Sequence, residues 1–216
     1  MSSRTGELAG NGVQPEWTLT VVSMTRDGDA NPVGLAELDD RSLVQACLDG
    51  RTEAFDLIVE RHRRHVYRLC RRFVNRHEDA ADLSQDVFLR AYRGLRRFRA
   101  DASLSTWLYR IGVNVCLNKV SARVPPQTSL DDAPPLMATS DDPAGGLVRA
   151  ERATKVRAAI GRLPRKQRAT LILRIYHDLS HQEIATVLGT SVGAAKANLF
   201  HALGNVKKLL ADQALG

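Results

Sequence analysis

The sequence predicts an all-α protein made of two small helical domains joined by a flexible linker. Three observations carry that reading. Apolar residues recur at three- and four-residue spacing along the patterned segments. Aromatic residues are only 5% of the chain, and β-branched runs are sparse. The stretch VPPQTSLDDAPPLMATSDDPAGG, with five prolines, four aspartates and two glycines in 23 residues, divides the periodic segments into two sets.

Residues 1–37 are rich in Gly, Ser, Thr, Asp and Asn, lack a sustained period, and read as a disordered tail. Residues 38–123 form the first domain. Its first helix begins near Asp40, with Leu43, Val44 and Cys47 as a face and Gly50 as a stop. A long helix follows, in which Phe55, Ile58, Val59, Val66, Leu69, Cys70 and Phe73 keep helical spacing. The next runs through NRHEDAADLSQDVFLRAYRGLRRF, and RADAS is a loop. The fourth, LSTWLYRIGVNVCLNKVSAR, is capped by Ser103 or Ser105. Residues 124–148 are an acidic, Pro-rich linker, of which the 23-residue stretch quoted above could reach roughly 75 Å if extended. The second domain, 149–216, holds helices over 147–161, PRKQRATLILRIYHD, SHQEIATVLGT and SVGAAKANLFHALGNVKKLLADQ.

Charge follows the same divisions. Residues 41–123 carry 17 basic and 9 acidic side chains, and residues 149–216 carry 12 and 4, net +8 in each. The preceding 40 residues are net −5, and the linker is net −4. Two basic blocks suit a polyanionic partner, and nucleic acid is the common one. No run approaches the ~18 apolar residues that a membrane span needs, so no membrane insertion is expected. The N-terminus lacks the apolar core of a secretory signal. Cys47, Cys70 and Cys116 are widely spaced within apolar patterns and read as core residues of a reducing, cytoplasmic compartment. No nucleophile elbow, phosphate-binding loop or metal-ligand set is present. The expectation is therefore no catalytic residues, no metal, no cofactor and no enzymatic activity.

The most specific stretch is LSHQEIATVLGTSVGAAKANLFHAL. Ser180 followed by Glu183 has capping-box spacing. Ile184, Val187 and Leu188 face inward, Gly189 breaks the helix, and Ser191 caps the next. In that helix Ala195, Leu199, Ala202 and Leu203 face inward. Two short helices joined by a tight Gly-containing turn make a helix-turn-helix, whose second helix enters the DNA major groove. Ser191, Gly193, Ala194, Lys196, Ala197, Asn198 and His201 are the DNA-facing candidates.

DLSQDVFLRAYRGLRRF, residues 82–98, poses a different problem. Leu83, Val87, Ala91, Phe88 and Leu95 supply one buried face. The other carries Asp82, Gln85, Asp86 and Leu89, and the arginines follow. Carboxylates do not suit a DNA-facing surface, whereas a mixed acidic and apolar patch suits a protein partner.

These two segments, in this order and at this separation, resemble bacterial sigma factors. The resemblance is to the extracytoplasmic-function (ECF) group of the sigma-70 family, over about residues 40–123 and 149–212. It implies a region 2 helical bundle followed by a region 4 helix-turn-helix. It implies core RNA polymerase as partner, met at the β′ clamp helices and the β flap, with Asp82, Gln85, Asp86, Phe88, Leu89 and Tyr92 on the clamp helices. It implies that FRADAS and the helix after it open the promoter −10 element and capture it as single strand. Arg96, Arg97, Arg99, Arg110 and Lys119 are then phosphate candidates, and Asn114 and Asn118 base readers. Trp107 reads as core rather than as a stacking platform. The helix-turn-helix would bind the −35 element, and an anti-sigma factor is an implied partner. In AAKANLFHA the family's usual arginines are replaced by Asn198 and His201, which implies fewer phosphate contacts. The rival reading is a helix-turn-helix regulator that does not replace a sigma factor.

Overall fold

The computed structural model describes residues 32–74, 76–123 and 143–212. The expectations for residues 1–31, and for the linker over 124–142, lie outside the described residues. Among the described residues the secondary structure is entirely helical: α1 (Pro32–Ala36), α2 (Asp40–Leu48), α3 (Glu53–Phe73), α4 (His77–Gly94), α5 (Leu104–Arg123), α6 (Pro143–Gly161), α7 (Arg165–His177), α8 (His181–Leu188) and α9 (Val192–Asp212).

The first helical set packs α3, α4 and α5 against one another, with α2 laid on α3. The expected apolar stripes form its centre: Leu43, Ile58, Leu69, Cys70, Val87, Leu108, Val113 and Cys116 are essentially inaccessible. α5 lies close to its neighbours because Gly112 leaves room. A Cβ there would stand 2.7 Å from Cδ2 of Leu69. Asp39 starts α2, its carboxylate accepting the Ser42 N–H at 2.8 Å. At the other end of α2, Gly50 takes φ +98°, which an L side chain resists.

Three boundaries differ from expectation, and a fourth is decided between two expected alternatives. The tail does not extend to residue 37: α1 forms at Pro32–Ala36, and Leu35 is buried. Arg61 of α3 holds this segment by donating from Nη2 to the Ala36 carbonyl at 2.7 Å. The helix containing residues 82–94 stops at Gly94, and Leu95–Arg97 form a separate 3-10 turn. Ser103, not Ser105, caps α5, its Oγ accepting the Thr106 N–H at 3.1 Å. α6 begins at Pro143 rather than near 147, because a proline at the first helical position gives up only an N–H that has no helical acceptor.

The second set packs α7 on α8 and α9, and α6 on α9. Its interior includes Ala159, Ile172, Leu173, Ile184, Ala195 and Ala202. Leu203, expected inside, is 50% exposed, because α7 and α8 cover a face of α9 that Leu203 does not share with Ala195 and Ala202. The two sets also touch: α7 lies against α3, and α8 against α5.

Candidate functional site

Three surfaces stand out, and each begins with local chemistry. On α4 the buried row Leu83, Val87 and Ala91 fixes the helix, which leaves Asp82 and Gln85 in solvent. Leu89 and Tyr92 are 55% and 49% exposed, large values for apolar side chains. Arg90 donates from Nε to Asp86 Oδ1 at 2.9 Å, which raises the guanidinium pKa and half-neutralises the acidic patch. The Tyr92 ring meets Phe55 edge-on at 5.0 Å, so its position is set from below. Phe88 is a correction. It is 7% exposed and faces the core, because it shares the buried side of α4 with Ser84 and Ala91. It supports the patch and is not on it.

The second surface is the turn between α4 and α5. Arg97, Phe98, Arg99, Trp107, Arg110 and Thr186 line an open groove of about 300 Å³. Ala100 on its rim takes φ +56°, a left-handed conformation that costs a Cβ-bearing residue energy and that clusters at functional sites. Trp107 is both things the sequence set apart. It packs on Phe98 with ring centroids 5.3 Å apart, and it also lines the groove. The N-terminus of α5 opens here, where its dipole favours anions. Arg110, Asn114 and Asn118 lie four apart along α5 and are all exposed, as is Lys119. Arg96 is exposed in the turn but is not part of the groove wall. Asn118 is already engaged, since its Oδ1 accepts from Arg165 Nη2 at 3.4 Å.

The third surface is α8, its turn and α9. The Ser180–Glu183 capping box is complete. Ser180 Oγ accepts the Glu183 N–H at 3.2 Å, and Glu183 accepts the Ser180 N–H at 2.8 Å. These bonds to Ser180 hold the Glu183 carboxyl below its usual pKa. Gly189 ends α8 at φ +59°. Ser191 caps α9, accepting the Ala194 N–H at 3.1 Å. Ser191, Gly193, Lys196, Ala197 and His201 are exposed, while Ala194 and Asn198 are half-buried. Sequence reasoning missed Phe200, 75% exposed and stacked edge-on against His201 at 5.7 Å. It also missed Ile175, 54% exposed on α7. An apolar residue outside the periodic stripe was the available signal for both.

Among the described residues no group of His, Cys, Asp and Glu is arranged to hold a metal. No described helix is long and apolar enough to cross a membrane. Cys70 and Cys116 are buried free thiols, and the Cys116 thiol, hydrogen-bonded to that of Cys70 and desolvated, is held protonated. Cys47 is only half-buried, but desolvation and the acids Glu53 and Asp56 push its thiol up to about 11. Neither Cys47 nor Cys116 is activated as a nucleophile.

The comparisons with known proteins agree with this arrangement. A family model for Sigma-70 region 2 matches residues 58–124, and one for Sigma-70, region 4 matches residues 153–206. RNA polymerase sigma-H factor of Pseudomonas aeruginosa is 34% identical over 185 residues, which cover 82% of this chain and 96% of that protein. ECF RNA polymerase sigma factor SigM of Mycobacterium tuberculosis is 35% identical over 178 residues, 82% of this chain and 87% of its own. Among solved structures, CnrH in complex with the cytosolic domain of CnrY superposes with a TM-score of 0.60 at 25% identity. That match covers 80% of this chain and 97% of CnrH. The sigma factor RpoE of Bartonella quintana, in complex with the anti-sigma factor NepR, shares the fold at a TM-score of 0.52 and 20% identity, over 73% and 96% of the two chains. With both sigma regions present in order, and with relatives aligned along four-fifths of its length, the chain belongs to the ECF sigma factors of the sigma-70 family.

Proposed function

We propose that the chain is the exchangeable specificity subunit of core RNA polymerase, acting in the cytoplasm as a binding protein rather than an enzyme. Asp82, Gln85, Asp86, Leu89 and Tyr92 meet the β′ clamp helices, with Phe88 bracing them from the core side. The groove at Arg97, Arg99 and Arg110, continued by Arg96, Asn114, Asn118 and Lys119, takes the −10 element as single strand. The aromatic pair Phe98 and Trp107 offers a flat apolar wall to an unstacked base, and the guanidinium groups neutralise phosphates. α9 enters the major groove of the −35 element, Lys196 meeting phosphate and Asn198 and His201 reaching base edges. The exposed apolar residues of the second set suit the β flap. An anti-sigma factor is a further partner, since the solved RpoE is bound to one.

The observation that carries this reading is adjacency. An acidic patch with exposed Leu89 and Tyr92 sits on the helix that leads, through a single turn, into a groove lined by three arginines. One side of that corner suits a protein and the other a polyanion. A helix-turn-helix regulator acting alone has no use for the first. The test is co-elution of the purified protein with sigma-free core polymerase, followed by run-off transcription on a genomic library. Charge reversal at Asp82 and Asp86 abolishes both if the reading is right. Co-elution unchanged by that reversal overturns it.

A further inference from the structure

We propose that the exposed basic stripe of α3, made by Arg64, Arg68 and Arg72 with His65 beside them, is a third nucleic-acid contact, which holds the phosphates of the duplex between the −10 and −35 elements without reading its sequence. The place of that duplex rests on the reading of the chain as a promoter-binding subunit; the affinity of the stripe for phosphate does not.

α3 carries more cations than its fold uses. Between Glu60 and Glu78 the sequence holds seven arginines, three histidines and no acid. Some of these arginines serve the structure. Arg61 Nη1 lies 3.3 Å from the Asp40 carboxylate, and Arg63 Nη2 lies 2.7 Å from that of Glu60. Arg71 is half-buried and donates to the Val74 carbonyl at 3.2 Å. Arg64, His65, Arg68 and Arg72 are exposed, and none of them forms an ion pair with a carboxylate among the described residues.

Nothing in the stability of the helix asks for this arrangement. Arg64, Arg68 and Arg72 recur every four residues, so they line one face over about 12 Å. Like charges at that spacing repel and weaken a helix. The helix dipole favours cations only in the last turn, which holds Arg71 and Arg72. Arg64, His65 and Arg68 lie before it.

Position and composition name the partner. α3 packs along α5, and the charge of Arg68 reaches Tyr109, the residue before Arg110 of the groove. The stripe therefore continues the cationic surface of Arg97, Arg99 and Arg110 onto α3. Arg72 lies 3.8 Å over the Tyr176 ring, and the charges of His65, Arg72 and Arg68 all reach His177. The stripe is thus on the side of the first set that faces the second. A subunit that holds the −10 element with the first set and the −35 element with the second has the intervening duplex cross that side. α3 exposes no large apolar side chain, unlike α4 with Leu89 and Tyr92. A protein interface has an apolar centre poor in charge, whereas guanidinium groups without apolar company suit phosphate.

The experiment compares the full-length parent with the double variant Arg64→Gln, Arg68→Gln, which keeps most of the bulk and removes two charges. Each protein is titrated without polymerase against a fluorescent duplex of randomised sequence, over a range of salt. Each is then joined to core polymerase and titrated against a promoter fragment found by run-off transcription. A second copy of that fragment carries uncharged methylphosphonates in the spacer. The expected result in both titrations is a slope of log affinity against log salt that is shallower in the variant by about 1.8, or about 0.9 for each lost phosphate contact. The neutral spacer is expected to weaken the parent holoenzyme about tenfold and the variant less than about twofold. If the double variant melts below the parent, Arg64→Gln alone serves, with a slope shallower by about 0.9. An unchanged slope overturns the contact. Equal weakening of parent and variant by the neutral spacer overturns its assignment to the spacer. Poorer co-elution of the variant with core polymerase makes the stripe a protein contact and overturns it too. The polymerase-free titration reads the stripe whether or not polymerase binds, and co-elution of the parent reads the function whether or not the stripe binds DNA.

Discussion

At the residue scale, burial separates neighbours that the sequence groups together. Phe88 and Leu89 are adjacent on α4, one 7% and the other 55% exposed. Phe88→Ala empties part of the core and is expected to cost about 3–5 kcal/mol, visible as a lower Tm. Leu89→Ala is expected to leave stability within about 0.5 kcal/mol, yet weaken polymerase binding about tenfold in an equilibrium titration. If both variants lose stability alike, Leu89 is a core residue and the patch is misassigned. The buried row Leu83, Val87 and Ala91 was legible because a spacing of four residues fixes one side of a helix. Spacing places Phe88 on that buried side too, where it stands 7% exposed; only the family resemblance puts it on the clamp-helix surface. Leu203 escaped because it lies at the edge of its row: one residue past the buried Ala202, it is turned about 100° away around α9.

At the element scale, starts and stops follow local rules wherever the partner is close in sequence. The capping box of α8, the Gly189 break and the Ser191 cap all stand where Ser180, Glu183, Gly189 and Ser191 predict them. Ser180→Ala is expected to remove about 1 kcal/mol from α8, seen as faster amide exchange confined to that helix and its turn. Where the partner is distant, the rules fail. α1 is a five-residue helix kept by the burial of Leu35 and by Arg61, 25 residues on. Nothing within Pro32–Ala36 announces it. The end of α4 also lies beside a distant residue: a Cβ at Gly94 would make an ordinary contact with the Trp107 ring of α5, at 3.6 Å.

At the scale of the whole molecule, the contact between the two sets makes stability depend on pH through His177. Burial first, then the positive charges of His65, Arg72 and Arg68 on α3, push its pKa down to about 4, against a small opposing effect of Asp178. Tyr109 of α5 is its hydrogen-bond neighbour. A histidine whose pKa is depressed on packing takes up protons more readily when released. The packed form is therefore favoured above about 6.5 and loses ground as the pH falls from there towards 4. Thermal melts across that window are expected to show a decline that His177→Gln reduces. An unchanged slope in the variant would assign the acid sensitivity to other groups. None of this was legible in the sequence, where His177 is one polar residue beyond an apolar run and its partner is 68 residues away. The exposed first turn of α9 leads in another direction. A Cβ added at Gly193 would meet only Ser191 Oγ, at 3.9 Å, so larger side chains fit there at no cost to the helix. Folding places no veto on that position, which makes it a natural lever for retargeting. Variants such as Gly193→Arg are expected to keep the parental Tm while shifting which upstream sequences are chosen in a selection from a randomised library, so that a new regulon is one codon away.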